Sequence, residues 1–116
     1  MAGANFILAA GEQLVRRLLV NHVQNGRAYG GHLYVTSERL CFTPLQVPQE
    51  RGAERAEIAL AEVASADVAP RGFGLRDAAL RRRLRVTLSS GGMHYFVVWR
   101  PGRVADLVND LRPPRE

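Results

Sequence analysis

The chain has 116 residues, of which 47% are hydrophobic, and it carries a formal net charge of +5 at pH 7. A chain of this length has room for one domain around one core, and residues 1–116 are assigned to that domain. No apolar run is long enough to span a bilayer, and no basic residue precedes the short apolar stretch at 6–10, so neither a transmembrane helix nor a signal peptide is expected.

Residues 11–23 are compatible with two structures. Their apolar residues fit helical spacing, and the glutamate, glutamine, leucine and arginine among them favour a helix. The same apolar residues also divide between the two faces of one long strand. The residues alone leave both alternatives open.

Two strands joined by a tight turn are predicted between Gly30 and Pro44. Apolar and polar side chains alternate over 31–36 and again from residue 40, which is the period of a half-buried strand. Polar residues form the turn between them, where Arg39 is expected to bond turn carbonyls or to pair with a nearby acid. Cys41 is the only cysteine, so it cannot form an internal disulfide, and we interpret it as a small buried residue.

Four more strands are predicted after an exposed polar loop at 46–56. These strands are 57–60, 63–68, 83–88 and 93–99. The third alternates most clearly, with Leu84, Val86 and Leu88 directed inward. Two glycines at 91–92 favour a hairpin turn between the last two strands.

The period changes to that of a helix at about 101–112. Pro101 suits a first helical turn, and a pair of prolines at 113–114 ends the helix. One apolar stripe, interpreted as core, consists of Val104, Leu107, Val108 and Leu111. Six or seven strands followed by one helix predict a mainly β fold. Its sheet would curve into a barrel or an orthogonal sandwich, with the helix over one open mouth.

The order of these elements and one group of residues resemble the GRAM domain, of the pleckstrin-homology-like superfamily, in its bacterial type. The residues that carry the resemblance are Gly31, Leu33, Tyr34, Val35, Thr36, Arg39, Leu40 and Phe42. The resemblance implies a curved seven-stranded barrel or orthogonal sandwich capped by a C-terminal helix, and therefore a strand within 11–23. It also implies a non-catalytic module that binds phosphoinositides, other anionic lipids or proteins. Lipid-binding members carry basic residues between the first two strands, where this chain offers only Arg27.

The arginines are the strongest candidates for a binding surface. All sixteen basic residues are arginines; residues 71–100 hold seven of them and one acid, whereas 46–70 hold two arginines and five acids. Such asymmetry indicates a surface for an acidic partner. In an extended strand, Arg81, Arg83 and Arg85 would share one face at a spacing of about 6.6 Å. The alternative is a solvated strand edge whose charge prevents aggregation. The candidates for lipid or phosphate binding are Arg27, Arg71, Arg76, Arg81, Arg82, Arg83 and Arg85.

Other classes of function have little support in the sequence. Nucleic-acid binding is not expected, because stacking platforms usually accompany it and aromatic residues make up only 7% of the chain. No metal or cofactor is expected, since the three histidines and Cys41 match no ligand spacing. No nucleophile or paired-carboxylate motif indicates an enzyme.

We therefore expect a non-catalytic module that docks on anionic lipid membranes through an arginine-rich face. The alternative is a protein-interaction or self-association module without a lipid ligand. The expected location is the cytoplasm, peripherally at the inner face of the membrane.

Overall fold

The protein folds as an antiparallel sheet of seven strands followed by a helix, within the residues that this computed structural model describes, 6–70 and 82–114. The strands are β1 (Leu14–Gln24), β2 (Arg27–Thr36), β3 (Arg39–Pro44), β4 (Ala56–Ala59), β5 (Val63–Ala69), β6 (Arg83–Leu88) and β7 (Met93–Val98), and the helix is α1 (Pro101–Leu111). Single turns of 3₁₀ helix lie at Pro48–Glu50 and Leu60–Glu62. The strand order is β4-β3-β2-β1-β7-β6-β5. The mainly β prediction with a C-terminal helix is confirmed.

The ambiguous segment at 11–23 forms a strand, as the resemblance implied and against its helical propensity. β1 pairs with β2 from Leu14, opposite Thr36, to Gln24, opposite Arg27. Tertiary pairing of this kind routinely overrides local propensity. β1 pairs with β7 only from Val20 to His22. The first half of β1 therefore has a partner strand on one side alone among the described strands.

The predicted hairpin of β2 and β3 is confirmed, and its packing explains one of its glycines. Leu33 and Val35 from β2 and Leu40 and Phe42 from β3 point into the core, where they are at most 1% exposed. A Cβ at Gly31 would lie 2.3 Å from the backbone oxygen of Thr43, so any larger residue would force the two strands apart.

The helix closes one mouth of the barrel against β5 and β6. Val104, Ala105 and Val108 are buried, and Leu107 and Leu111 pack against the core from its rim. The predicted apolar stripe is therefore confirmed as core. No helix in the described part of the chain is long and apolar enough to cross a membrane.

Residues 6–12 cross the outer face of β2 and β3, where Arg39 holds them. Its Nε and Nη2 donate to the two carboxylate oxygens of Glu12 at 2.7 and 3.0 Å, and Nη2 also donates to the Ile7 carbonyl at 2.7 Å. Its Nη1 donates to Glu57 on β4 at 2.9 Å. The prediction that Arg39 pairs with an acid is confirmed. Cys41 lies on this covered face and is fully buried, as expected.

Asn109 of α1 protects the edge of β5. Its side-chain Nδ2 donates to the Ala66 carbonyl at 2.8 Å, and its Oδ1 accepts from the Ala66 backbone N–H at 3.0 Å. The amide therefore satisfies both backbone groups as a neighbouring strand would. Arg112 donates to the Ala64 carbonyl on the same edge. An edge covered in this way is unavailable for pairing with another chain.

Removing the Asn109 amide should destabilise the fold through this edge. In Asn109→Ala the buried N–H and C=O of Ala66 lose their partners, which should lower the free energy of unfolding by about 2 kcal/mol. Asp106→Ala, an exposed change on the same helix, should alter it by less than about 0.5 kcal/mol. Urea unfolding of both variants provides the measurement. Equal stability of the two variants would show that Asn109 is dispensable for the edge.

The Glu12–Arg39 pair should make stability depend on pH in acid. The hydrogen bond from Arg39, assisted by those from Ala9 and Thr36, outweighs burial and lowers the pKa of Glu12 to about 2. Because the unfolded carboxyl titrates near 4.5, its contribution is complete above that pH and is lost as the pH falls from 4.5 toward 2.

Urea unfolding at several pH values should therefore show a gap in the free energy of unfolding between the wild type and the less stable Glu12→Gln variant. We expect this gap to be widest above pH 4.5 and to shrink toward pH 2. A gap that is constant across this range would contradict the lowered pKa.

Candidate functional site

The arginines predicted from the sequence to bind lipid or phosphate lie in different parts of the structure. Arg71, Arg76 and Arg81 lie outside the described residues. Arg82 is exposed at the start of β6, and Arg83 and Arg85 share the outer face of that strand. The alternation predicted for this strand is confirmed, since Leu84 and Val86 are fully buried between them.

Arg83 and Arg85 already have partners within the fold. The Nε and Nη2 of Arg85 donate to the two carboxylate oxygens of Asp67 on β5, at 2.9 and 2.6 Å, and this pairing lowers the pKa of Asp67. The Nη2 of Arg83 donates to the Pro70 carbonyl at 3.2 Å, and its guanidinium lies 4.9 Å from the Tyr95 ring centroid. These contacts join β5, β6 and β7 across their outer face. Anion binding by these two arginines stays a prediction.

Arg27 holds a loop at the turn between β1 and β2. Its Nη2 donates to the Gln49 carbonyl at 3.1 Å, and its guanidinium lies 4.8 Å from the Tyr29 ring centroid. Two further contacts fix the same loop, because Glu50 accepts from the Gly30 N–H at 2.7 Å and the Gln24 side chain bonds the Glu54 backbone. Arg27 thus lies beside the turn at the Gln24 end of β1, where it helps to hold the loop.

A second group of arginines, from three separate segments, surrounds two exposed apolar side chains. Trp99 is 80% exposed and Leu19 is 68% exposed. They line two adjoining cavities, of about 350 and 470 Å³, at the junction of β1, β7 and α1. We name this region the arginine–tryptophan surface. It consists of Leu19, Trp99, Arg16, Arg17, Arg82, Arg100 and Arg103.

The sheet register places this surface. Val20 pairs with Val98, so the preceding residue of β1, Leu19, lies level with the following residue, Trp99. Both are out of phase with the buried Val20, and they therefore point to the outer face. β7 ends here, and the chain turns into α1, so the Leu14–Leu19 part of β1 has no second neighbouring strand among those that the structure describes.

Positive charge on this surface is not neutralised within the described part of the chain. None of its five arginines belongs to a salt bridge among the described residues, and no acid is among the residues that line the two cavities. The guanidinium of Arg100 lies 5.6 Å from the Trp99 ring centroid, within the range of a cation–π contact. The surface therefore combines free cationic groups with exposed apolar ones, a composition that suits an anionic, partly apolar partner.

Arg100 is held in an unfavourable backbone conformation at the centre of this surface. Its φ is 55° and its ψ is 63°, in the left-handed region that residues with a Cβ rarely adopt. It precedes Pro101 at the start of α1 and provides no side-chain cap for the helix. Such strain often accompanies functional positions, since a stability criterion alone would favour glycine there.

Buried His22, near the opposite end of β1, and half-buried His94 on β7 form a neutral hydrogen-bonded chain with Gln24. Gln24 Nε2 donates to His22 Nδ1 at 3.0 Å, so His22 Nε2 carries its proton toward His94 Nδ1 at 3.1 Å. Burial lowers the pKa of His22 to about 4 and also lowers that of His94. No group of three or more potential metal ligands is found in the part of the chain described. We assign these hydrogen bonds between Gln24, His22 and His94 a structural role, because Gln24 also bonds the backbone of Glu54 and so anchors its loop.

Part of the arginine–tryptophan surface could have been found from sequence. Strand alternation with Phe96 inward directs Trp99 outward, where an exposed tryptophan is unusual enough to indicate a contact. Arg16 and Arg17 are not among the predicted binding residues, because the residues of 11–23 by themselves fit both a helix and a strand. That these segments meet depends on pairing between β1 and β7, which no local pattern specifies.

Comparison with known proteins supports the fold. No family model matches the chain, and no curated protein matches it. A C-terminal domain of an unknown protein from Leishmania infantum is similar in structure, with a TM-score of 0.60 and 16% identity over 88% of this chain and 86% of that one. The linker-DH/PH domains of p115-RhoGEF match with a TM-score of 0.63 and 14% identity, over 90% of this chain and 30% of that one. This chain has a pleckstrin-homology-like fold.

The left-handed backbone at Arg100 should make a glycine variant more stable than an alanine variant, which is the reverse of their usual order of stability. Glycine adopts a positive φ without steric cost, whereas alanine retains the penalty of about 1 kcal/mol that arginine bears. We expect Arg100→Gly to be more stable than Arg100→Ala by about 1 kcal/mol in thermal or urea unfolding. An alanine variant as stable as the glycine variant would mean that Arg100 is not strained in solution.

Proposed function

We propose that this protein is a non-catalytic binding module of the GRAM type that docks on anionic membranes through the arginine–tryptophan surface. The observation that carries the proposal is that five arginines, free of salt bridges among the described residues, line the same adjoining cavities as exposed Trp99 and Leu19. The pleckstrin-homology-like fold is consistent with a binding module. The proposed location is the cytoplasmic face of a membrane.

The charge of this surface suits weak, salt-sensitive binding. Each arginine close to an anionic bilayer contributes about 1 kcal/mol, and the attraction falls off within a Debye length of about 8 Å at physiological salt. Five such residues at one surface would contribute up to about 5 kcal/mol at low ionic strength. Arg83 and Arg85 contribute less in this proposal, because each is bound to another part of the fold.

An acidic protein surface is the second candidate partner, favoured by one observation. The edge of β1 from Leu14 to Leu19 has no second strand among those described, and an extended acidic segment could pair with it. The two exposed apolar side chains favour the membrane, because a bilayer accommodates both charge and apolar groups at one surface without requiring a matched partner shape.

Cosedimentation with vesicles tests the proposal. We expect the protein to pellet with vesicles of phosphatidylcholine containing phosphatidylserine, to remain in solution with phosphatidylcholine alone, and to be released by added salt. Equal recovery with both kinds of vesicle would contradict membrane docking through charge.

Single charge removals locate the site. Arg17→Gln and Arg103→Gln should each weaken binding about fivefold, the equivalent of about 1 kcal/mol. Arg51→Gln is the matched control, since it removes the same charge from an exposed residue in the loop at the opposite end of β1. An equal loss in all three variants would mean that net charge, and not this surface, directs the protein to the vesicle.

A further inference from the structure

We infer that Trp99 and Leu19 enter the interfacial layer of the bilayer, which sets the orientation of the whole module. In this orientation the start of β1 and the start of α1 face the membrane, and the β1–β2 turn points away from it. The inference rests on the proposed function and adds to it an apolar anchor and a direction.

The first argument is the position of the two apolar side chains. Leu19 and Trp99 lie level with each other on the outer face of adjacent strands, 68% and 80% exposed. Leu14 and Val15, on the other side of Arg16 and Arg17 in β1, are also 46% and 40% exposed. An exposed tryptophan beside an exposed leucine is costly in water and favourable at a membrane interface.

The second argument is the arrangement of charge around these residues. Arginines flank the pair from β1, from the start of β6 and from the first turn of α1. A tryptophan immersed to the level of the headgroups would place these guanidinium groups beside lipid phosphates, where arginine makes paired hydrogen bonds. Electrostatic attraction alone and a small apolar anchor alone each give marginal binding, and the two together give stable docking.

The third argument is the charge at the other end of the molecule. Gln24 lies five residues beyond Leu19 on β1, about 17 Å along the strand, and its side chain bonds Glu54 in the loop there. That loop also holds Glu50. The loop residues 45–55 contain two acids and two arginines and therefore have no net charge, whereas five arginines and no acid line the arginine–tryptophan surface. An anionic bilayer therefore attracts the arginine–tryptophan surface and exerts no comparable attraction on this loop, which favours the same orientation.

Trp99 is the only tryptophan in the sequence, so intrinsic fluorescence reports on this position alone. On titration with vesicles containing phosphatidylserine, its emission should move to shorter wavelength. Phosphatidylcholine carrying bromine on the upper part of the acyl chain should quench it. Emission that stays that of a water-exposed indole while the protein binds would overturn the inference.

Two variants separate the anchor from the charge. Trp99→Ala should weaken vesicle binding about tenfold, through the lost apolar burial, and this loss should persist at salt concentrations that weaken the arginine contribution. Met93→Ala is the control, because Met93 is 51% exposed at the other end of β7. Thermal unfolding verifies that both variants remain folded.

The outcomes distinguish the two proposals. If the wild type binds anionic vesicles and Trp99→Ala binds them equally well, the anchor and its orientation are wrong while membrane docking stands. If the wild type binds no anionic vesicle at low salt, the proposed function is wrong and the inference falls with it. Blue-shifted, quenched emission together with a loss specific to Trp99→Ala would establish the orientation.

Discussion

The contact between Arg39 and Glu12 organises one side of this fold. A carboxylate whose side chain is fully buried accepts two hydrogen bonds from one guanidinium, which in turn reaches β4 through Glu57. Thr36 completes the arrangement by donating to Glu12 at 2.6 Å and accepting from the backbone N–H of Arg39. A buried carboxylate without such partners would cost several kcal/mol, so the turn between β2 and β3 and the segment before β1 have to form together.

This constraint carries through to the rest of the sheet. The segment fixed by Glu12 leads directly into β1, and β1 pairs along nearly its whole length with β2. The long pairing commits β1 to a strand although its residues favour a helix. β7 then joins only three residues of β1 before the chain leaves the sheet. Beyond these three residues β1 and β7 are not paired, and the arginine–tryptophan surface lies where their pairing stops. The position of this surface therefore follows from where β7 ends.

The sequence was informative wherever a local pattern determined the outcome. Alternation identified the hairpin of β2 and β3 and the inward face of β6, and the helical period identified the buried stripe of α1, because both depend only on neighbouring residues. The structure of β1 could not be decided in this way. It depends on pairing with β2, up to 22 positions away as for Leu14 and Thr36, and with β7, up to 78 positions away as for Val20 and Val98.

The candidate site was harder to predict, for a related reason. The spacing of Arg83 and Arg85 predicts that they share one strand face, and this is confirmed. Their hydrogen-bond partners, Asp67 and the Pro70 carbonyl, are not local in sequence, since Asp67 is 18 residues from Arg85. Arg17, Arg82 and Arg103, in contrast, are dispersed in sequence and meet through the sheet register. Charge counted along a chain cannot separate arginines bound within a fold from arginines left free on its surface.

The features at the arginine–tryptophan surface oppose stability, and the remainder of the fold offsets them. Arg100 has a left-handed backbone, one edge of Leu14–Leu19 has no partner among the described strands, and Trp99 exposes its ring to water. At the β5 edge of the sheet, Asn109 satisfies the backbone of Ala66, and at the far end of β1 three contacts fix the loop 45–55. Local departures from good packing persist only where the surroundings determine the structure strongly. Here they coincide with arginines that form no salt bridge among the described residues, and this coincidence is what supports the proposed docking surface.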